Sequence, residues 1–337
     1  MLRSFRSRFA SIPTPVAGLA LGIAGLGLGL ENALPLHSLG QTIGAVTAFC
    51  LLLCVACKFV LHPALLRQDL AHPVVGGILP TFSMSLLLIS KTLGTWHGPA
   101  GEALWLTGVV LHLLLMTVFA YHRAKSFALH QILPSWFVPF VGIALAALTV
   151  PGPEYTEFAY TLLVFGMINY SILLPIMLYR LIFSTKVVDA AKPTIAIMAA
   201  PASLTLAGYL TLESEPSLLL GAVLLGVALL MTGLIYIAFF RLLRLPFTPA
   251  FAAYTFPMAV SATALYKVAG FLGRYPDAAE CARQLSCMAV VEMSIATLVV
   301  GYVCLRYVVH YARKLPALSA DLGVAPAAPQ QEPVALP

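Results

Sequence analysis

Apolar stretches long enough to cross a bilayer recur ten times along the chain. A membrane-spanning helix needs roughly 20 apolar residues. Continuous apolar runs favour helices over the short alternating strands of a membrane barrel. The pattern therefore predicts an all-α integral membrane protein with ten transmembrane helices. We number these predicted helices segments 1 to 10; they cover residues 14–34, 40–62, 74–93, 101–122, 134–151, 156–183, 193–212, 216–243, 248–272 and 284–311.

Prolines divide the ten segments into two kinds. Each odd-numbered segment has a proline near its start, at intervals of 58, 61, 59 and 56 residues: Pro15, Pro73, Pro134, Pro193 and Pro249. Four of these segments carry a second proline well inside: Pro80, Pro139, Pro201 and Pro257. Proline removes a backbone hydrogen bond and kinks a helix. Segment 1 has a ladder of glycines instead, and the even-numbered segments are smoother and richer in leucine.

The near-constant spacing predicts five helical hairpins, each with one kinked helix and one bulky helix. Kinked helices with small residues suit close packing or a lumen, whereas leucine-rich helices suit lipid. Because five like helices cannot converge on one axis without leaving a hole, we predict a central pore. Segments 1, 3, 5, 7 and 9 form its inner ring, and the even-numbered segments form an outer ring. The alternative is that the prolines reflect only their general frequency in membrane helices.

Composition and charge set the orientation of the chain. Of its 337 residues, 60% are hydrophobic and 9% are charged, whereas a soluble domain has about 25% charged residues. One set of loops holds 15 of the 19 lysines and arginines, which places both termini in the cytoplasm. The net charge of +6 therefore reflects topology, so the expected partner is the lipid bilayer and not a nucleic acid. The predicted domains are a basic cytoplasmic N-terminus (1–12), the ten-helix pore domain (13–314) and a disordered cytoplasmic tail (315–337).

Segment 9 carries the strongest candidate for a gate. Phe256 directly precedes the inner Pro257, in a stretch of small and hydroxylated residues. A ring that closes a narrow apolar tube blocks ions sterically and by dewetting. We therefore predict that Phe256 is the gate; the alternative is ordinary packing against lipid or core. The other predicted pore-lining residues are small, hydroxylated or proline residues of odd-numbered segments: Gly18, Gly22, Pro80, Ser83, Pro139, Pro201, Ser203, Thr255, Pro257 and Ser261.

Glu292 is the clearest acidic residue inside an apolar segment. Such a residue is by default a functional-site hypothesis, because a charge in the membrane interior is costly. If Glu292 meets the pathway, it couples proton movement to transport. Since it lies on an even-numbered segment, the alternative is that it bridges helices or subunits.

The sequence offers little support for an enzyme. It contains no His-Glu-x-x-His motif and no paired-aspartate or serine–lysine arrangement. The Cys54-x-x-Cys57 pair lacks the second pair or nearby histidines that a metal or redox site needs. We therefore predict no catalytic residues, no metal and no cofactor.

Three proline-containing stretches resemble one known family: Pro193-Thr-Ile-Ala-Ile-Met-Ala-Ala-Pro201, Pro134-Ser-Trp-Phe-Val-Pro139 and Tyr254-Thr-Phe-Pro-Met258. With the five hairpins over residues 13–311, they are similar to the tellurite-resistance/dicarboxylate transporter family, which includes the bacterial protein TehA, fungal malate permeases and the plant guard-cell slow anion channel. The resemblance implies a central pore, usually in a homotrimer, with Phe256 at the position of the gating phenylalanine. It implies a bacterial inner-membrane channel for small inorganic anions; the alternative is a proton-coupled transporter of C4-dicarboxylates such as malate, or of sulfite or tellurite.

Overall fold

The computed structural model describes residue 6, residues 8–184 and residues 186–321. All regular structure in these ranges is helical, so the predicted all-α class is confirmed. The last helix is described up to Asp321. The rest of the predicted tail lies outside the described residues, as do residues 1–5 and 7 of the predicted N-terminal region.

Helix occurs at every predicted segment. Eight helices within the described ranges are long and apolar enough to cross a membrane: Val16–Ala33, Leu39–Leu61, Val75–Trp96, Gly98–Lys125, Pro153–Phe183, Lys192–Leu212, Leu218–Leu242 and Pro276–Arg313. Segment 5 is a shorter apolar stretch, Pro134–Leu148. Segment 9 comprises a 3-10 helix, Pro249–Tyr254, and an α-helix, Thr255–Leu272. The predicted boundaries hold within a few residues, except that the last helix is longer than predicted.

The odd-numbered segments after the first are broken helices. Segment 3 comprises Val75–Ile78 and Thr81–Trp96. Segment 7 starts as a 3-10 helix, Lys192–Ala199, and continues as an α-helix, Ala200–Leu212. Segment 5 alternates between the two helix types over Pro134–Trp136, Phe137–Val141, Gly142–Ala144 and Leu145–Leu148.

The inner prolines explain where three of these breaks fall. Pro80 precedes an α-helical part, and Pro201 and Pro257 lie in first turns, where a missing N–H removes no helical hydrogen bond. A 3-10 helix of eight residues is longer than usual, and such stretches often mark hinges. The prolines thus separate two kinds of helix, where the sequence predicted kinks in continuous helices.

Burial alternates along the chain. In segments 3 and 7, 83% and 78% of the most apolar window is buried, whereas the value is 28% in segments 4, 6 and 8. The even-numbered helices expose large apolar side chains such as Leu114, Ile168 and Leu230. Apolar exposure of this extent suits lipid and not water.

Packing contacts link the odd-numbered segments in a closed circuit. Segment 1 packs against segment 3, segment 3 against segment 5, segment 5 against segment 7 and segment 7 against segment 9. Segment 9 then packs against segment 1. Each odd-numbered segment also contacts the even-numbered segment that follows it.

The glycines of segment 1 allow its close approach to segments 2 and 9. A Cβ added at Gly22 would overlap the side chain of Thr255. A Cβ at Gly27 would lie 3.1 Å from the Cα of Gly44 in segment 2. Small residues let membrane helices pack with their backbones close together, so the glycine ladder fixes segment 1 between two neighbours.

A short helix, Pro63–Ala71, connects segments 2 and 3 and was not predicted. Its Asp69 accepts a hydrogen bond from the Lys58 Nζ at 3.1 Å. Lys58 also donates to the Thr14 Oγ1 at 2.8 Å, and Thr14 donates to Asp69. This cluster joins segment 2 and the short helix to the start of segment 1, next to Pro15.

Replacing Asp69 with asparagine is expected to lower the free energy of unfolding by about 1–2 kcal/mol, because the buried Lys58 loses its countercharge. The Asp69 side chain is 22% exposed, so the loss is smaller than for a fully buried pair. Thermal unfolding in detergent measures the effect. Asp189→Asn is the control, since the Asp189–Lys192 pair is more exposed; an equal loss in both variants would contradict the prediction.

Candidate functional site

One cavity lies where the five odd-numbered segments meet. All five odd-numbered segments contribute wall residues, and none of these residues has an ionised side chain. The wall includes Pro15, Gly18, Leu21, Ile78, Thr81, Met84, Phe137, Val141, Gly142, Pro201, Leu204, Phe256 and Pro257. We call this space the axial cavity.

Phe256 forms part of the wall of the axial cavity. Its side chain is 7% exposed. A Cβ added at Gly25 would lie 3.0 Å from the Phe256 Cδ2, so the ring packs directly on this glycine of segment 1. Segment 9 changes from a 3-10 helix to an α-helix at Thr255. The ring therefore lies beside a break, where a small change of helix geometry would move it.

Thr81 supplies the only hydroxyl group of the wall. Its Oγ1 is buried and has no hydrogen-bond partner in the part of the chain that the structure describes. A buried hydroxyl without a partner is costly unless water or a ligand satisfies it. Thr81 was not among the predicted lining residues, although its place directly after Pro80 was a usable signal.

Four predicted lining residues belong to the wall: Gly18, Pro201, Phe256 and Pro257. Seven others lie in the same segments but are not part of it: Gly22, Pro80, Ser83, Pro139, Ser203, Thr255 and Ser261. Thr255 donates to the Ala252 carbonyl at 2.7 Å, and Ser203 donates to the Ala199 carbonyl at 3.2 Å. These hydroxyls therefore donate hydrogen bonds to backbone carbonyls of their own segments.

Ser83 and Pro139, which are not wall residues, both contact the buried His112. The His112 ring is fully buried and lies between segments 3 and 5. Its Nε2 donates to the Pro139 carbonyl at 3.0 Å, and its Nδ1 lies 3.0 Å from the Ser83 Oγ. Ser83 is also within 2.7 Å of the Pro80 carbonyl. This network supplies donors for carbonyls near the helix breaks, which membrane proteins require.

Glu292 of segment 10 contacts Ser261 of segment 9, which is not a wall residue of the axial cavity. Its side chain is 6% exposed. Ser261 donates to the Glu292 Oε2 at 2.5 Å, and the Ser261 and Thr232 hydroxyl oxygens lie 3.0 Å apart. No lysine or arginine forms an ion pair with Glu292 among the described residues. Glu292 therefore links segments 8, 9 and 10 and is not part of the cavity wall.

Comparison with known proteins places these features in a family. Residues 12–308 match the family described as voltage-dependent anion channel. An uncharacterized transporter of Methanocaldococcus jannaschii is 24% identical over 242 residues, which cover 64% of this chain and 71% of that protein. The family match confirms the resemblance to the tellurite-resistance/dicarboxylate transporters. The chain thus belongs to the voltage-dependent anion channel family of multi-pass membrane proteins.

Proposed function

We propose that this protein conducts small anions through the axial cavity, as a channel of the TehA type in which Phe256 is the gate. The observation that carries the proposal is the composition of the cavity wall, because all five odd-numbered segments contribute and Phe256 is among the residues. A bulky ring in an apolar passage keeps it closed sterically and by dewetting.

In this proposal the ten segments cross the membrane as five hairpins, with the odd-numbered segments around the pore. The closed circuit of contacts and the alternation of burial support this arrangement. The protein would lie in a bacterial inner membrane as a homotrimer, with both termini in the cytoplasm. The uneven distribution of lysine and arginine supports this orientation.

The beginnings of three helices favour anions over cations in the axial cavity. The helices Thr81–Trp96, Ala200–Leu212 and Thr255–Leu272 each place first-turn residues in its wall. The start of an α-helix carries a partial positive charge. An apolar wall without ionised groups attracts the anion only weakly, as conduction requires.

Currents across planar bilayers that contain the purified protein test the choice of ion. With a potassium chloride gradient, we expect the reversal potential to follow the chloride gradient. A reversal potential that follows potassium would overturn anion conduction. Bilayers without protein provide the baseline.

The position of Glu292 favours a second candidate, proton-coupled transport of C4-dicarboxylates, sulfite or tellurite. The carboxyl group contacts Ser261, which lies on the same segment as Phe256. A change in the protonation of Glu292 would therefore act on the segment that carries the gate.

Replacing Glu292 with glutamine separates the two candidates. If the protein is a passive channel, anion flux should stay within about twofold of wild type, because the amide keeps a hydrogen-bonding partner for Ser261. The measurement is uptake into proteoliposomes with and without a pH gradient. If a pH gradient drives uptake by the wild-type protein but not by the Glu292 variant, the protein is the coupled transporter instead.

A further inference from the structure

Two lysines lie on the pore-facing sides of segments 3 and 9, beyond the axial cavity. Lys91 follows the wall residue Met84 by seven positions, which is within about 20° of two full helical turns. Lys267 follows Phe256 by eleven positions, which is within about 20° of three full turns. Both pairs lie within uninterrupted α-helices. Each lysine thus lies on the same helix face as a wall residue.

Along the helix axes, both lysines lie beyond Phe256, on the side away from the N-terminus of the chain. At about 1.5 Å per residue, Lys267 is about 16 Å above Phe256, and Lys91 is about 10 Å above Met84. Segments 3 and 9 are not neighbours in the circuit of contacts, since segment 1 lies between them. The two side chains therefore approach the same passage from different walls.

Both ammonium groups are half-buried and without a countercharge. Neither lysine belongs to an ion pair in the part of the chain that the structure describes. Lys91 donates one hydrogen bond to the Leu148 carbonyl at 2.9 Å, which leaves two N–H groups free. The charges of Lys91 and Lys267 are close enough to act on each other. Two like charges held near one another are unfavourable, and an anion between them relieves the repulsion.

None of the described carboxylates forms an ion pair with either lysine. Glu31, at the end of segment 1, accepts hydrogen bonds from the backbone N–H groups of Ser38 and Gln41. Glu213 follows the end of segment 7 and is half-exposed. The pair of lysines is thus a positive site on a side of the protein whose loops carry mostly acidic residues.

We infer that Lys91 and Lys267 form an anion-binding site at the mouth of the pore opposite the N-terminus, and that it prefers doubly charged anions over chloride. One ammonium group would meet each charge of a small dicarboxylate or of a tetrahedral oxyanion such as sulfate. The inference rests on the proposed pore, because it assumes that the faces of Met84 and Phe256 continue along the same passage.

Titration calorimetry of the purified full-length protein tests this site without requiring conduction. Sulfate and succinate are the probes, and chloride is the competitor. We expect Lys91→Gln and Lys267→Gln each to weaken binding on the order of tenfold, because a charge is lost from a poorly solvated site. Lys91→Arg should restore the affinity, since it keeps the charge. Arg274→Gln removes an exposed charge just beyond the end of the helix that carries Lys267 and should have no effect.

Several outcomes would overturn the site. Wild-type protein that binds neither probe, or binds chloride as tightly as sulfate, contradicts a preference for dianions. An equal loss in the Arg274 variant shows general surface attraction instead. If binding fails while the Phe256 variant still conducts, only this inference is lost. If binding depends on both lysines but no anion current is found, the site stands and the channel proposal fails.

Discussion

Anion conductance is expected to rise on the order of 30-fold or more when Phe256 is replaced with alanine, since about 2 kcal/mol off a barrier gives that factor. The ring lies in the wall of an apolar cavity and packs on Gly25. Its removal widens the passage and lowers the cost of wetting it. Currents in planar bilayers, normalised to the amount of reconstituted protein, measure the change.

Phe271→Ala provides the matched control for the gate. Phe271 is a buried phenylalanine of the same helix, but it is not part of the axial cavity. This variant should conduct like wild type. If both variants gain conductance, loosening of segment 9 is the cause and not removal of a plug. If the Phe256 variant gains none, the gate lies elsewhere.

Replacing Gly22 with alanine is expected to lower the free energy of unfolding by about 3 kcal/mol, the upper end of the usual cost of overpacking. The added Cβ would overlap the side chain of Thr255 and would lie 3.1 Å from the backbone nitrogen of Phe256. Thr255 cannot easily turn away, because its hydroxyl donates to the Ala252 carbonyl. Thermal unfolding in detergent measures the loss.

Gly226→Ala is the control for the close approach of segments 1 and 9. A Cβ added there has no neighbour within 4 Å. Alanine in a helix interior is favoured over glycine by roughly 0.5–1 kcal/mol, so this variant should be as stable as wild type or slightly more so. A Gly22 variant of unchanged stability would show that segments 1 and 9 pack less closely than described.

The sequence was sufficient to predict where the helices lie, but not which of their faces contact one another. Apolar length located every segment, and the inner prolines marked segments 3, 5, 7 and 9. A proline shows that a helix is interrupted, but it does not show that the eight residues before Ala200 form a 3-10 helix. The short helix Pro63–Ala71 is less apolar than the segments, so a search for apolar runs passed over it.

The candidate site was predicted only in part, because the orientation of its helices was not evident from the sequence. A helix buried on nearly all sides has no polar face that reveals its orientation, and segments 3 and 7 are of this kind. Ser83 and Ser261 were predicted to line the pore because they are hydroxylated residues of odd-numbered segments, and their hydroxyls lie against His112 and Glu292. Thr81, which does line the cavity, was not predicted. Phe256 was predicted as the gate because a large ring beside a proline is conspicuous in any orientation.

The closure of the circuit by segments 9 and 1 constrains how the protein is made. The Thr255 hydroxyl lies 3.4 Å from the Gly18 carbonyl, across 237 positions of sequence. Contacts so distant in sequence form late, and they leave earlier parts of the chain exposed until then. During synthesis the glycine face of segment 1 cannot pack against segment 9 until the ninth segment has left the ribosome. A nascent chain that ends before segment 9 therefore has no closed ring. The passage forms only near the end of translation.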